Sequence, residues 1–419
     1  MVIDLGVPRD EIELAPRPLL PRQRRVVALA LAFVALMGVA GGAAPVRPEL
    51  VSVTIRATAA DEIVVGDDAL YLMRPGRGVV RAGLRTITSY ALPEATGPVW
   101  EAALYTDGPV RGASLVDGML LALAEGPEIQ TIAIRPGTGR EVWRRSGWYN
   151  RTAPGHGLLQ DFSLSDLQRL FNVDLATGDV RWSKAYPSEH SVVIDEDRFV
   201  RWTPAGVVEL YDADSGAPLA TARLPVDPQQ PPVLMGDLLL VHEQADGRPV
   251  LAAYGTDRLD RRWQADVDPR SEYVSGECGD ALCVGVGDFG GLRLVDLATG
   301  RTRWSAPGLG YAYPVGRYLL GYGPGQLNNS QMVLLDPADG HLVADFGQWD
   351  LSFPSKDWRM LGVRENGPRA LVARLDAAAA DVDVLGLLAD VSLCRPTPLA
   401  VVCRRAGGSV GVWYPRRRL

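Results

Sequence analysis

One phrase constrains this chain more than its length or composition does, because it is written several times over. Residues 170–182 read LFNVDLATGDVRW, and residues 292–304 read LRLVDLATGRTRW. Worn versions occupy residues 131–143 (TIAIRPGTGREVW), 207–220 (VVELYDADSGAPLA), 332–344 (MVLLDPADGHLVA) and 86–100 (TITSYALPEATGPVW). Another, LAAYGTDRLDRRW at residues 251–263, keeps the tryptophan and loses the glycine.

Each version has the form strand, tight turn, strand. In FNVDL, Phe171, Val173 and Leu175 share one face while Asn172 and Asp174 share the other, which is the period-two pattern of a strand. Asp174 and Asp296 stand where a carboxylate accepts hydrogen bonds from backbone N–H groups just ahead. Gly139, Gly178, Gly216, Gly300 and Gly340 stand where a positive φ closes the turn. Trp100, Trp143, Trp182, Trp263 and Trp304 fall on the returning strand, where a large ring can dock between neighbouring units.

The spacing carries the fold. Trp100, Trp143 and Trp182 stand 43 and 39 residues apart, and Trp263 and Trp304 stand 41 apart. Ala220 and Ala344 occupy the positions where the series lacks a tryptophan. A period near 40 with short strands predicts an all-β fold: a β-propeller of four-stranded blades, about eight of them, with seven as the other count. A half-unit remains at residues 399–413 (LAVVCRRAGGSVGVW), and ring closure predicts that it shares a blade with an N-terminal strand. The run Ala377 to Ala380 is helix-prone but stands where a repeat turn belongs, so it is read as a degenerate turn.

The pattern l-x-[VA]-x-D-x-x-[TS]-G-x-x-x-W resembles the repeat of the PQQ-like (pyrroloquinoline-quinone-type) propellers, over residues 60–413. That group includes quinoprotein dehydrogenases and a non-enzymatic outer-membrane assembly lipoprotein. In layout the chain is most similar to membrane-anchored members from actinobacteria. The resemblance implies the blade fold and leaves activity open, because a propeller hosts unrelated functions. The dehydrogenases carry an adjacent Cys-Cys disulfide facing the quinone, a stacking Trp and a Glu/Asn/Asp calcium set. Here no two cysteines are adjacent, and no motif carries a calcium ligand or catalytic Asp onto a numbered position. The expectation is therefore no catalytic residues, no cofactor and no metal.

Ahead of the repeats, residues 26–45 (VVALALAFVALMGVAGGAAP) hold no charge. Twenty residues rising about 1.5 Å each cross a hydrocarbon core of about 30 Å. Arg22, Arg24 and Arg25 precede the run, which orients the N-terminus to the cytosol and exports the body. A cleaved signal peptide is the competing reading, but a 25-residue leader holding Asp4, Asp10, Glu11 and Glu13 favours an uncleaved anchor. The expected layout is a disordered cytoplasmic arm at 1–25, a transmembrane helix at 26–45, a linker at 46–60 and the propeller at 61–419. A net charge of −7 and a pI near 5.3 argue against nucleic acid.

The four cysteines fall as two close pairs. In EYVSGECGDALCVGVG a hairpin centred between Asp280 and Ala281 places Cys278 directly opposite Cys283; in VSLCRPTPLAVVCRR facing strands bring Cys394 to Cys403. The even count, export and close spacing predict disulfides 278–283 and 394–403, with a zinc site as the alternative.

Little else announces chemistry. His156, His190, His242 and His341 lie far apart with no metal-ligand spacing. The sequences at residues 212–216 (DADSG) and 336–340 (DPADG) look like fragments of calcium loops but lack a downstream bidentate Glu, and are read as turn caps. Asn150-Arg151-Thr152 and Asn328-Asn329-Ser330 match the glycosylation sequon. Loops at 147–159, 226–232 and 347–358 are the candidate interaction surfaces, the first and third because aromatics lie beside polar residues. The functional expectation is a non-enzymatic scaffold that binds an envelope protein or ligand. A diverged quinone-dependent oxidoreductase and a cell-wall glycan-binding module are the alternatives.

Overall fold

The computed structural model describes residues 50–75, 83–162, 166–227, 230–326, 329–352 and 359–416. The expected arm at 1–25, the expected membrane helix at 26–45 and the start of the linker lie outside the described residues. Among the described residues, every regular element is a strand, and no helix is long and apolar enough to cross a membrane.

Burial explains how the strands are ordered within a unit. Second strands such as Met119–Glu125 (MLLALAE) and Ala281–Val286 (ALCVGV) are apolar on both faces and buried on both. A strand reads this way when sheets stack on either side of it. Outermost strands such as Pro98–Tyr105 and Val180–Pro187 alternate, with every second residue exposed. Their outer ends face water.

Hydrogen bonding joins the strands, among the described residues, into eight antiparallel sheets, seven of four strands and one of seven. Taken in chain order, units 1 to 6 are residues 62–105, 110–146, 148–187, 191–223, 233–265 and 272–307. The seven-stranded sheet holds two units. Its strand Leu342–Leu351 is the outer strand of unit 7 (residues 311–349) up to Trp349, and then pairs Asp350 and Leu351 with Val363 and Gly362 of unit 8 (residues 350–389).

The last unit closes the ring. Strand Leu50–Ile55 pairs antiparallel with Val410–Pro415, completing a sheet with Val391–Pro396 and Val401–Arg405. This unit 9 is the half-unit at 399–413, completed from the N-terminal side. Nine apolar clusters lie between successive units. One joins unit 8 to unit 9 through Leu361, Val372, Cys394 and Val401. Another joins unit 9 to unit 1 through Val402, Val412, Leu70 and Leu72. The eight sheets match the expected count of about eight, while the packing layers number nine because one sheet bends to serve two layers.

Candidate binding site

The repeated phrase builds the same joint between neighbouring units five times. Trp143 Nε1 donates to the carbonyl of Leu175 at 2.8 Å, Trp263 to Leu297 at 2.7 Å and Trp304 to Pro337 at 2.9 Å. Trp182 donates to Asp214 at 2.8 Å and Ala213 at 3.2 Å, and Trp100 donates to Pro136. Every acceptor lies in the turn of the following unit. That turn needs its glycine for two reasons. Gly178 has φ +76°, and a Cβ there would sit 2.4 Å from the Trp143 ring. Gly139 with Trp100, Gly216 with Trp182, Gly300 with Trp263 and Gly340 with Trp304 repeat the relation.

The aspartates hold the turn from within. Asp174 Oδ1 accepts from Thr177 N at 2.9 Å, and Asp296 Oδ1 from Thr299 N at 2.9 Å and its hydroxyl at 2.8 Å. In Asp212 the Ser215 hydroxyl, then the Ser215 amide, hold the carboxyl below its ordinary range. For Asp296 the same direction comes first from Arg303, which also clasps Asp280. These residues position blades and do not face a common cavity.

Both expected disulfides are bonded, Cys278–Cys283 and Cys394–Cys403. The register of the first differs from the sequence reading. Cys283 lies opposite Gly276, and the hairpin turn runs from Cys278 to Ala281, so the first bridge is diagonal rather than directly cross-strand. The cause is the position of the turn: Gly279, at φ +75°, centres it between Gly279 and Asp280, one residue earlier than expected. In the second pair Cys394 continues the register of Arg395 with Val402 and faces Cys403 across the strands as expected, 4.0 Å away at Cα, with a bulge beside it after Ser392.

A cavity with a mixed lining lies where the seven-stranded sheet bends. Other units begin with an inner strand of three to seven residues, whereas unit 8 has Asp350 and Leu351 in that place. A short inner strand leaves the inner part of the unit 7 face uncovered by described residues. The resulting cavity of about 510 Å³ is lined by Tyr311, Tyr313, Tyr322, Trp349, Asp350 and Met360, among others. Tyr311 stacks on Tyr322 with centroids 4.6 Å apart, and Tyr313 meets both edge-on at 5.8 and 5.6 Å. Trp349 and Met360 are buried, while Tyr313 keeps 47% of its surface exposed. Asp350 stands at the rim with Arg395 3.5 Å away. Burial pushes its carboxyl above the ordinary range, opposed by Arg395 and reinforced by the neighbouring Glu365.

The comparisons follow the repeats. A family sequence model described as "Outer membrane protein assembly factor BamB", of PQQ-like repeats, matches residues 166–310, about a third of the chain. Over those residues the chain carries PQQ-like repeats, and its four-stranded sheets are those of a β-propeller. Its fold is similar to a solved structure titled "Crystal structure of the eukaryotic initiation factor", at 12% identity and TM-score 0.52, covering 84% of this chain and 100% of that one. It is similar at lower overlap to BamB from Moraxella catarrhalis, at 14% identity and TM-score 0.42, covering 88% and 99%. No curated sequence relative matches.

Within this propeller the loops singled out from the sequence have different fates. The loop at 347–358 contributes Trp349, Asp350, Leu351 and Ser352 to the cavity, and its residues 353–358 lie outside the described set. The segment at 147–159 forms two strands, and Trp148 and Tyr149 line a smaller cavity of about 310 Å³ with Arg111 and Ser114. In the loop at 226–232, residues 228–229 lie outside the described set. Among the described residues, Asp336, Asp339 and His341 form a group with metal-ligand spacing. Asp336 is already engaged by Ala338 N at 2.8 Å, and Asp339 by the His341 amide at 3.0 Å and ring at 2.6 Å. That is the geometry of a capped turn. The sequence reading missed Tyr311, Tyr313 and Tyr322. The signal was there in GYAYPVGRYLLGYG, where tyrosines two apart on one strand face a third on the next.

Proposed function

We propose that this chain is a single-pass membrane protein, N-terminus cytoplasmic, whose propeller stands outside the membrane as a non-enzymatic scaffold that binds an envelope protein or ligand. The observation that carries the reading is the cavity at the bend between units 7 and 8. Its described lining offers tyrosine faces, one carboxylate and a hydroxyl from Ser330 or Ser352, without a nucleophile–base pair. Such a lining suits binding and orienting a ligand, which supports the scaffold reading. Export is supported by the apolar run at 26–45 behind its arginines and by two bonded cysteine pairs, since disulfides persist in oxidising compartments.

The test joins activity to topology. The purified full-length chain is titrated with pyrroloquinoline quinone and Ca²⁺ while thermal stability and dye-linked turnover of alcohols and aldoses are followed. The expected result is no turnover and no saturable rise in melting temperature, since a ligand that binds the folded state must raise it. Turnover would replace the scaffold with an oxidoreductase. Protease added to intact cells is expected to digest the propeller and spare residues 1–25; protection of the propeller would refute the topology.

A further inference from the structure

The cavity between units 7 and 8 has a chemistry that selects its occupant. Three tyrosine rings crowd within 6 Å of one another, centroid to centroid, and the only carboxylate lining the cavity among the described residues is Asp350. Ring faces carry negative potential and attract cations, more strongly where water is displaced. Asp350 retains only 24% of its side-chain exposure. Its cationic neighbour Arg395 stands at the 3.5 Å limit of hydrogen bonding, on a side chain that is 58% exposed. The pair is a single contact at the edge of the cavity.

Three kinds of ligand can be weighed against that lining. An anion meets Asp350 and the ring faces, both repulsive. A neutral saccharide stacks on Tyr313 and can donate a hydroxyl to Asp350, but it leaves the carboxylate charge uncompensated. An organic cation satisfies both elements at once: its charge pairs with Asp350 and its alkyl surface lies on the rings. The same chemistry already occurs next door, where the Arg364 guanidinium lies 4.9 Å over the Trp349 ring.

We propose that the cavity formed by Tyr311, Tyr313, Tyr322 and Asp350 binds an alkylammonium group. This rests on the scaffold reading and names the ligand class of its site. A quaternary ammonium and the side-chain amine of a lysine share this chemistry, so the probes separate the two sources.

Calorimetric titrations of the full-length chain use choline, Nα-acetyl-lysine methylamide, the neutral choline isostere 3,3-dimethyl-1-butanol, and maltose. Binding of choline, of the lysine amide or of both supports the proposal, with the butanol weaker by about tenfold or more. Asp350→Asn, which keeps the shape, is expected to weaken the cation by about tenfold and leave the butanol unchanged. Tyr313→Ala, at an exposed ring, is expected to weaken it by about fivefold. Melting temperatures of both variants report that they fold. Equal binding of the neutral isostere, an unchanged Asp350→Asn, or no cation binding at all would overturn the proposal. Preference for maltose would overturn it too, while leaving a binding scaffold standing. Dye-linked turnover would end the scaffold reading itself.

Discussion

Replacing Gly178 by alanine tests the repeated joint directly. The residue has φ +76°, and an added Cβ would lie 2.4, 2.5 and 2.8 Å from Cγ, Cβ and Cδ1 of Trp143. The left-handed conformation alone costs a residue with a Cβ about 1–2 kcal/mol. Forcing a methyl into a packed contact adds about 1–3 kcal/mol. Trp143 has little room to yield, because it is 7% exposed and its indole is tied to Leu175. Two controls separate the contributions. Gly155 has φ +78° with nothing within 4 Å of its would-be Cβ, so Gly155→Ala is expected to lose only the conformational part. In a Trp143→Ala background the clash is gone, and Gly178→Ala should again lose only about 1–2 kcal/mol. Urea unfolding of the four proteins and the Gly155 control, followed by circular dichroism and fluorescence together, measures this. If Gly178→Ala costs the same with and without Trp143, the ring does not depend on the glycine and the reasoning fails.

Four further outcomes follow from the same structure. Ala220 takes the tryptophan position opposite Leu259, which has φ +55° and is 4% exposed, so Ala220→Trp should destabilise while the pair Ala220→Trp/Leu259→Gly recovers part of the loss, read as urea midpoints. Reducing the disulfides should remove about 2–3 kcal/mol each by loop closure over sequence separations of 5 and 9, measured as urea midpoints with and without dithiothreitol. Burial lowers the pKa of His242, whose Nδ1 has no partner among the described residues, so the unfolded chain takes up a proton first. Stability should therefore fall as pH drops below about 6.5, and His242→Leu should flatten that slope. The capping carboxyls Asp212 and Asp376 are held low, first by Ser215 and Ala379 respectively, so their contribution is full above about pH 4 and is lost on further acidification.

The joint was legible in the sequence because it rests on local chemistry. A carboxylate, a glycine and a tryptophan at fixed offsets need no long-range information to be read as turn, φ and ring. The second disulfide was legible as a facing pair, while the register of the first was not, since the sequence did not fix that its turn is centred between Gly279 and Asp280. The number of packing layers was half legible. Unit 9 shows as a worn fragment at 399–413, but its fourth strand, Leu50–Ile55, comes from more than 340 residues earlier. The cavity was legible only as an aromatic loop at 347–358. Its other wall depends on unit 8 having two residues where its neighbours have a whole inner strand, which is a fact about pairing.

Two of the joints where the repeat breaks share one logic. Unit 4 has Ala220 for tryptophan, and the next turn has Leu259 for glycine; unit 7 has Ala344, and the next turn has Ala380 at φ +54°. Ring and glycine disappear together, at different points of the chain about 40 residues apart. A volume argument accounts for this. Without the ring there is space for a Cβ, and without a Cβ there is a void that a well-packed interface does not tolerate. At the first joint the Leu259 side chain fills the space in a cluster with Trp202, Leu210 and Tyr254. At the second the filling comes from Phe346 and Trp349, on the strand that bends into unit 8. The tryptophan missing from residue 344 is thus replaced at the interface by one at 349, and this is the ring that forms a wall of the cavity. The departure from the repeat and the candidate site are the same rearrangement: an outer strand freed from the usual joint runs on into the next unit, takes the place of its inner strand, and leaves the tyrosine face uncovered by described residues.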